Sequence, residues 1–208
     1  LRMRDASEGS AIDARLSQVL KSGNRARDLV KQILTFSRRR ENELQPIKVN
    51  LIVNEAIKLL RASLPSTIQI RHNIKSNLTV LSNATNIHQI LMNLCTNSSY
   101  AMQEDGGILE VNLSDENLDA NFAGQHPGVK PGKFIKFTVS DTGSGMSPEV
   151  SERIFDPFFT TKGVRGTGLG LSVSYGIIKN HKGNMKVESK EGVGTTFFIE
   201  LPVHRLIA

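Results

Sequence analysis

A chain of 208 residues, 38% apolar, 22% charged and without Trp, has ordinary globular composition and enough length to bury one or two cores. No apolar run approaches the roughly 18 residues of a membrane span, and no signal-peptide pattern opens the sequence. A lone cysteine, Cys95, excludes an internal disulfide framework, so a soluble chain in a reducing, cytoplasmic compartment is expected, even if a longer parent is membrane-anchored, and the net charge of +6 leaves nucleic acid as the partner class to weigh.

From Ala11 to about Glu41 there is no proline, and Val19, Gly23, Ala26, Val30, Ile33 and Ser37 recur at alternating gaps of four and three. That is the seam of a helical bundle. Leu16, Leu20, Leu29, Leu34 and Phe36 widen the stripe toward a four-helix arrangement, with Ser10 as the expected N-cap. A single helix cannot bury this stripe, so pairing between chains is expected. The one dense basic run, Arg38-Arg39-Arg40, ends this pattern, where cations favour the helix dipole and solvation. Without a zinc-ligand, RNA-binding aromatic or helix-turn-helix pattern beside it, contact with nucleic acid is not expected.

Glu41 to Gln45 reads as a linker closed by Pro46, which divides the chain into a helical part, residues 1–42, and a second domain, residues 43–208. In the second domain, Lys48–Leu51, Thr67–Ile74 and Leu78–Leu81 are expected strands, and Ile52–Ala62 an amphipathic helix ending before Pro65. Ile87–Met102 is a long apolar-periodic helix stopped by Asp105-Gly106-Gly107, with Cys95 as a small buried core residue. Ile108–Leu113 and Phe134–Val139 alternate as strands, and the Asn/Gly/Pro-rich stretch between them, Asn117–Gly132, is expected to be an exposed loop. Leu171–Asn180 is helical, and Met185–Ser189 and Thr195–Leu201 form a hairpin over Glu191-Gly192. Strands and helices in this mixed order predict an α/β fold, a two-layer sandwich with one mixed sheet on helices.

Four short motifs carry the chemistry: Asn93-Leu-Cys-Thr-Asn97, Asp141-Thr-Gly-Ser-Gly145, Phe155-Asp-Pro-Phe-Phe159 and Gly166-Thr-Gly-Leu-Gly170. Asn93 and Asn97 project from one helical face a turn apart. Mid-helix Asn is a poor helix former, so the pair is either two core amides or part of a magnesium site, a hard cation that takes few protein oxygens beside phosphates and water. Asp141 ends a strand and enters a glycine turn. As a carboxylate it can accept from the exocyclic amine of adenine, where guanine offers an oxygen; the bare sequence is equally a good turn. Gly166, Gly168 and Gly170 precede a helix beginning near Leu169, whose free N–H groups attract phosphate, with Lys162 as a point charge nearby. There is neither the βαβ context of a dinucleotide loop nor a Walker lysine.

Together the motifs resemble the N, first glycine, F and second glycine boxes of the sensor histidine kinases, within the GHKL ATPase superfamily, over roughly residues 47 to 203. The resemblance implies ATP and Mg2+ as cofactors and a GHKL-type sandwich. It assigns Asn97 to the metal, Asn93 to the phosphates or the metal's shell, and Asp141 to adenine with support from Thr195. Gly143 and Gly145 allow close approach to the base. Lys162, Gly166, Thr167, Gly168, Leu169 and Gly170 serve the phosphates, Asn93, Asn97 and Lys162 being the catalytic candidates. The segment from about Thr142 to Thr167 would be a lid pinned by Phe155, Phe158 and Phe159. Two positions depart from the pattern: Tyr100 stands where many relatives have Lys or Arg, which leaves a phosphate contact there unsupported, and Ser98 stands where Ala is common.

The family phosphorylates a histidine on the first bundle helix. None of His72, His88, His126, His181 and His204 precedes Glu41, so Ala11–Glu41 resembles the second bundle helix and the acceptor is expected outside this sequence. The implied activity is a protein histidine kinase that transfers the terminal phosphoryl of ATP to that helix, for relay to an aspartate of a response regulator receiver domain, the whole protein dimerising through its helical part. The alternatives are another GHKL ATPase, disfavoured by the F box and short lid, and a nucleotide-binding pseudokinase or interaction module.

Overall fold

The computed structural model describes residues 44–126, 128–163 and 166–204. The bundle-helix pattern from Ala11 to Glu41, with its Ser10 cap, lies outside them.

Strand β1 (Gln45–Lys48) leads directly into helix α1 (Val49–Ser63). Lys48–Leu51 was expected as a strand, but the strand sits three residues earlier and Val49 opens the helix. The reason is the stripe: Val49, Val53, Ala56, Ile57 and Leu60 are all buried at helical spacing, and burying that stripe outweighs the weak helix propensity of its valines. Pro46 is tolerated in β1 because, among the described residues, this strand pairs only with β3 (Thr79–Ser82), antiparallel. On its other edge β3 bridges Val203, and the amide of His204 donates to the Thr79 carbonyl.

The main sheet contains β2 (Ile68–Ile74), β4 (Gly107–Leu118), β5 (Gly132–Asp141), β6 (Asn184–Lys190) and β7 (Gly194–Pro202) in the order β2-β4-β5-β7-β6. Only β2 and β4 are parallel; the rest are antiparallel, closing in the β6–β7 hairpin. Alternate residues Leu109, Val111, Leu113, Ile135, Phe137, Val139, Phe197, Ile199 and Leu201 are buried in one core with the apolar faces of α1, α2 (Ala84–Ala101) and α5 (Gly170–Asn180). The intervening positions form a polar second face, where Ser140 meets Thr196 at 2.9 Å and Lys136 meets Glu116 at 3.1 Å. The fold is therefore the expected two-layer mixed α/β sandwich.

The stretch Asn117–Gly132 is not simply an exposed loop. β4 runs on to Leu118, and Asp119 caps a short helix α3 (Ala120–Gln125) by accepting from the Phe122 amide at 2.8 Å. Leu118, Val129 and Phe134 form a separate small core beneath it, flanked by Phe122. Apolar anchors spaced between the turn residues outweigh the composition. A further short helix, α4 (Pro148–Arg153), starts on a proline in the first turn, where no N–H is needed.

α2 is the element that positions the site. Asn83 caps its start, accepting from the Thr85 amide at 2.7 Å. Ile87, Ile90, Leu91, Leu94 and Cys95 anchor it in the core. Burial pushes the Cys95 thiol up to about 12, the signature of an inert packing residue.

Candidate nucleotide site

All four motifs meet at α2 or at the segments packed on it. Asn93 uses its amide nitrogen twice, donating to the Gly170 carbonyl at 2.9 Å and the Ser174 hydroxyl at 3.0 Å. It thereby ties α2 to the first turn of α5. Leu169, the N-cap residue of α5, contributes no side-chain cap, so the helix start retains donors that suit a phosphate.

One turn along, Asn97 points its amide oxygen at the Lys162 ammonium, 2.5 Å away. The same ammonium lies 4.6 Å from the centre of the Tyr100 ring. Lys162 is partly buried, and that desolvation lowers its pKa below the usual lysine value. An amide oxygen that already faces a cation, beside an open helix start, is the donor chemistry a magnesium–phosphate pair requires. The residues present fit that group.

Asp141 ends β5 almost fully buried, at 8% exposure. Burial raises its pKa above the ordinary value, opposed by hydrogen bonds from Ser98, the Gly143 amide and the Thr195 backbone. The Ser98 hydroxyl donates to Oδ2 at 2.7 Å and the Gly143 amide to Oδ1 at 3.0 Å. A carboxylate offers about four lone-pair sites, so acceptor capacity remains. The sequence marks Ser98 only as a departure from the common Ala and does not link it to Asp141. Its signal was a hydroxyl at a buried helical position, which demands a partner. Thr195 sits opposite Asp141 in the β5–β7 ladder, but its hydroxyl pairs with Ser189 at 2.8 Å, so its contact with Asp141 is through the backbone.

The glycines pack protein against protein. A Cβ on Gly143 would come within 2.7 Å of the Ala101 carbonyl on α2, and the Ser144 amide donates to that same carbonyl at 3.0 Å. Gly168 has φ +68 and lies against the Phe158 backbone, whose amide donates to the Gly168 carbonyl at 3.0 Å. Gly145 lies over Lys190, Gly166 lies beside Thr160, and the Leu169 amide donates to the Thr167 hydroxyl at 3.4 Å. In the F motif, Phe155 packs on Tyr175 of α5 with ring centres 4.9 Å apart, and Arg153 covers Phe159 at 4.5 Å. Phe158 is 71% exposed.

Two histidines stand on the helices of the site, His88 on α2 and His181 at the end of α5. His181 holds Ser82 at 2.8 Å and the Ile177 carbonyl at 2.7 Å.

Comparison with known proteins agrees with this geometry. The profile of the histidine kinase-, DNA gyrase B- and HSP90-like ATPases matches residues 82–205. Sensor kinase CckA of Brucella abortus is 35% identical over 201 residues, covering 95% of this chain and 21% of its own length. The catalytic domain of histidine kinase ThkA superimposes with a TM-score of 0.61 at 28% identity, covering 77% of this chain and 95% of that one. ThkA in complex with response regulator protein TrrA gives 0.67 at 24% identity, covering 92% and 51%. The chain spans between 21% and 38% of the length of the first curated relatives it matches.

Proposed function

Because this chain belongs to the histidine kinase-, DNA gyrase B- and HSP90-like ATPase family, as an ATP-binding catalytic domain of the sensor histidine kinase type, we propose that it presents Mg-ATP for phosphoryl transfer to a histidine outside these 208 residues. The observation that carries the proposal is the convergence on α2 of a buried carboxylate, a cation-facing amide oxygen and an open helix start.

Asp141 accepts from the exocyclic amine of adenine and so selects it over guanine. The first N–H groups of α5 and the Lys162 ammonium hold the phosphate chain, and Asn93 keeps α5 at its fixed distance from α2. Asn97 would hold magnesium through its amide oxygen once the Lys162 ammonium now facing that oxygen turns to the phosphates. The chemistry magnesium supplies when bound is neutralisation of phosphate charge and alignment for in-line transfer. The acceptor is a helix of the same protein, in a homodimer formed through its helical part, and the phosphoryl passes on to the receiver domain of a response regulator. The complex of ThkA with TrrA supports that partner class. Among the described residues no helix is long and apolar enough to cross a membrane.

Calorimetry tests the nucleotide, and radiolabelled Mg-ATP tests the transfer. ATP should bind and GTP should not compete, and Asp141→Ala should cost roughly ten- to hundredfold in ATP affinity, the worth of a charge-assisted hydrogen bond. The chain alone should acquire no acid-labile phosphate, whereas a supplied histidine-bearing helical bundle should be labelled. Equal affinity for ATP and GTP, or label on one of this chain's own histidines, would overturn the proposal.

A further inference from the structure

Tyr100 follows Asn97 by three residues on α2, so both side chains face the same partner, the Lys162 ammonium. The ring centre is 4.6 Å from Nζ and the Asn97 oxygen 2.5 Å. Both partners are neutral. Among the described residues no carboxylate lies within ion-pair distance of Lys162. Its positive charge is therefore held without being neutralised, in a half-buried place where an aromatic face attracts a cation more strongly than in open water. Holding a lysine still costs side-chain entropy, and this contact lies outside the main core, where Tyr100 remains 37% exposed. Among the described residues the cation has no counter-charge, and an incoming anion supplies one.

We propose that Tyr100 is a positioning residue for nucleotide discrimination: its ring fixes the Lys162 ammonium beside Asn97 as a cation reserved for the terminal phosphate, so that the site favours ATP over ADP. This rests on the ATP reading above. Tyr100 acts through Lys162 and touches no reacting atom. The ring supplies the attraction, and its hydroxyl is dispensable.

Two measurements on the 208-residue chain test it. In the nucleotide-free protein, the Lys162 side-chain methylene protons should be shifted upfield by the ring. Tyr100→Leu should abolish that shift and Tyr100→Phe keep it. By calorimetry with magnesium, Tyr100→Leu should weaken ATP about three- to tenfold and ADP by less than about twofold, the range of a partly exposed cation–π contact. Tyr100→Phe should restore both affinities, and Lys162→Met should reproduce the selective loss. Equal losses for ATP and ADP, or no rescue by Tyr100→Phe, would overturn the inference alone. Failure of the unmodified protein to bind either nucleotide would overturn the ATP reading and this inference together.

Discussion

Asp141 shows what one residue can reveal and what it conceals. A carboxylate ending a strand before two glycines is visible in sequence, and so is the amide pair on α2, because both signals are local. The Ser98–Asp141 bond is not, because the donor lies 43 positions away and a serine in an apolar helix names no partner. A longer separation hides the geometry at Lys162, whose partner Asn97 lies 65 positions away and, like Tyr100, on α2. Ser98→Ala should destabilise the free protein by about 1–3 kcal/mol, because a buried carboxylate loses its hydroxyl donor. Urea denaturation checks this, and an unchanged midpoint would mean that the bond contributes nothing net. Asp141 itself also burdens the fold. Its pKa is raised by burial, which means its ionised form is less comfortable folded than unfolded, the cost of keeping a charge inside.

Among the elements, those with long apolar periodicity were legible: α1, α2, α5 and the core strands fall where the pattern put them, with ends moved by a few residues. The error was α3. Its segment is rich in Asn, Gly and Pro, and only Leu118, Phe122, Val129 and Phe134 betray packing, spread too widely to make a period. Phe122 stacks on His126 with ring centres 4.0 Å apart. Because this small cluster is separate from the main core, Phe122→Ala should loosen α3 and leave the sheet intact. Amide exchange should accelerate across Ala120–Gln125 and stay slow at Ile135 and Phe137, with a global cost of about 1 kcal/mol. Loss of protection throughout β5 would show instead that the two clusters fold as one unit.

Over the whole molecule, sequence charge conveys little about stability, because the ionisable groups that matter are the buried ones. Burial raises the Glu200 carboxyl above its usual pKa, offset in part by the Asn184 hydrogen bond, with Glu116 raising it further and Lys136 and His126 lowering it. A raised folded pKa means the folded state holds the proton more tightly. The resulting stability is present below the unfolded value and is lost as pH rises through the folded one. Glu200→Gln keeps an oxygen for the Asn184 amide, which now donates to Oε2 at 3.1 Å. Relative to the unmodified chain, this variant should therefore gain stability between about pH 4 and about pH 7. Urea midpoints at both pH values decide it: a difference that is constant or shrinks contradicts the assignment.

β3 has Ile47 of β1 on one edge and Val203 on the other, both opposite Val80. The path into this domain and the path out of it are therefore neighbours, stitched to one short strand. A pull between those two points would load the β1–β3 ladder and the Val80–Val203 bridge first, and β7 directly behind them, because Val203 follows Pro202 and its amide donates to the Lys133 carbonyl. Two changes at that junction, at Val80 and Val203, should therefore loosen it ahead of any effect on the nucleotide site.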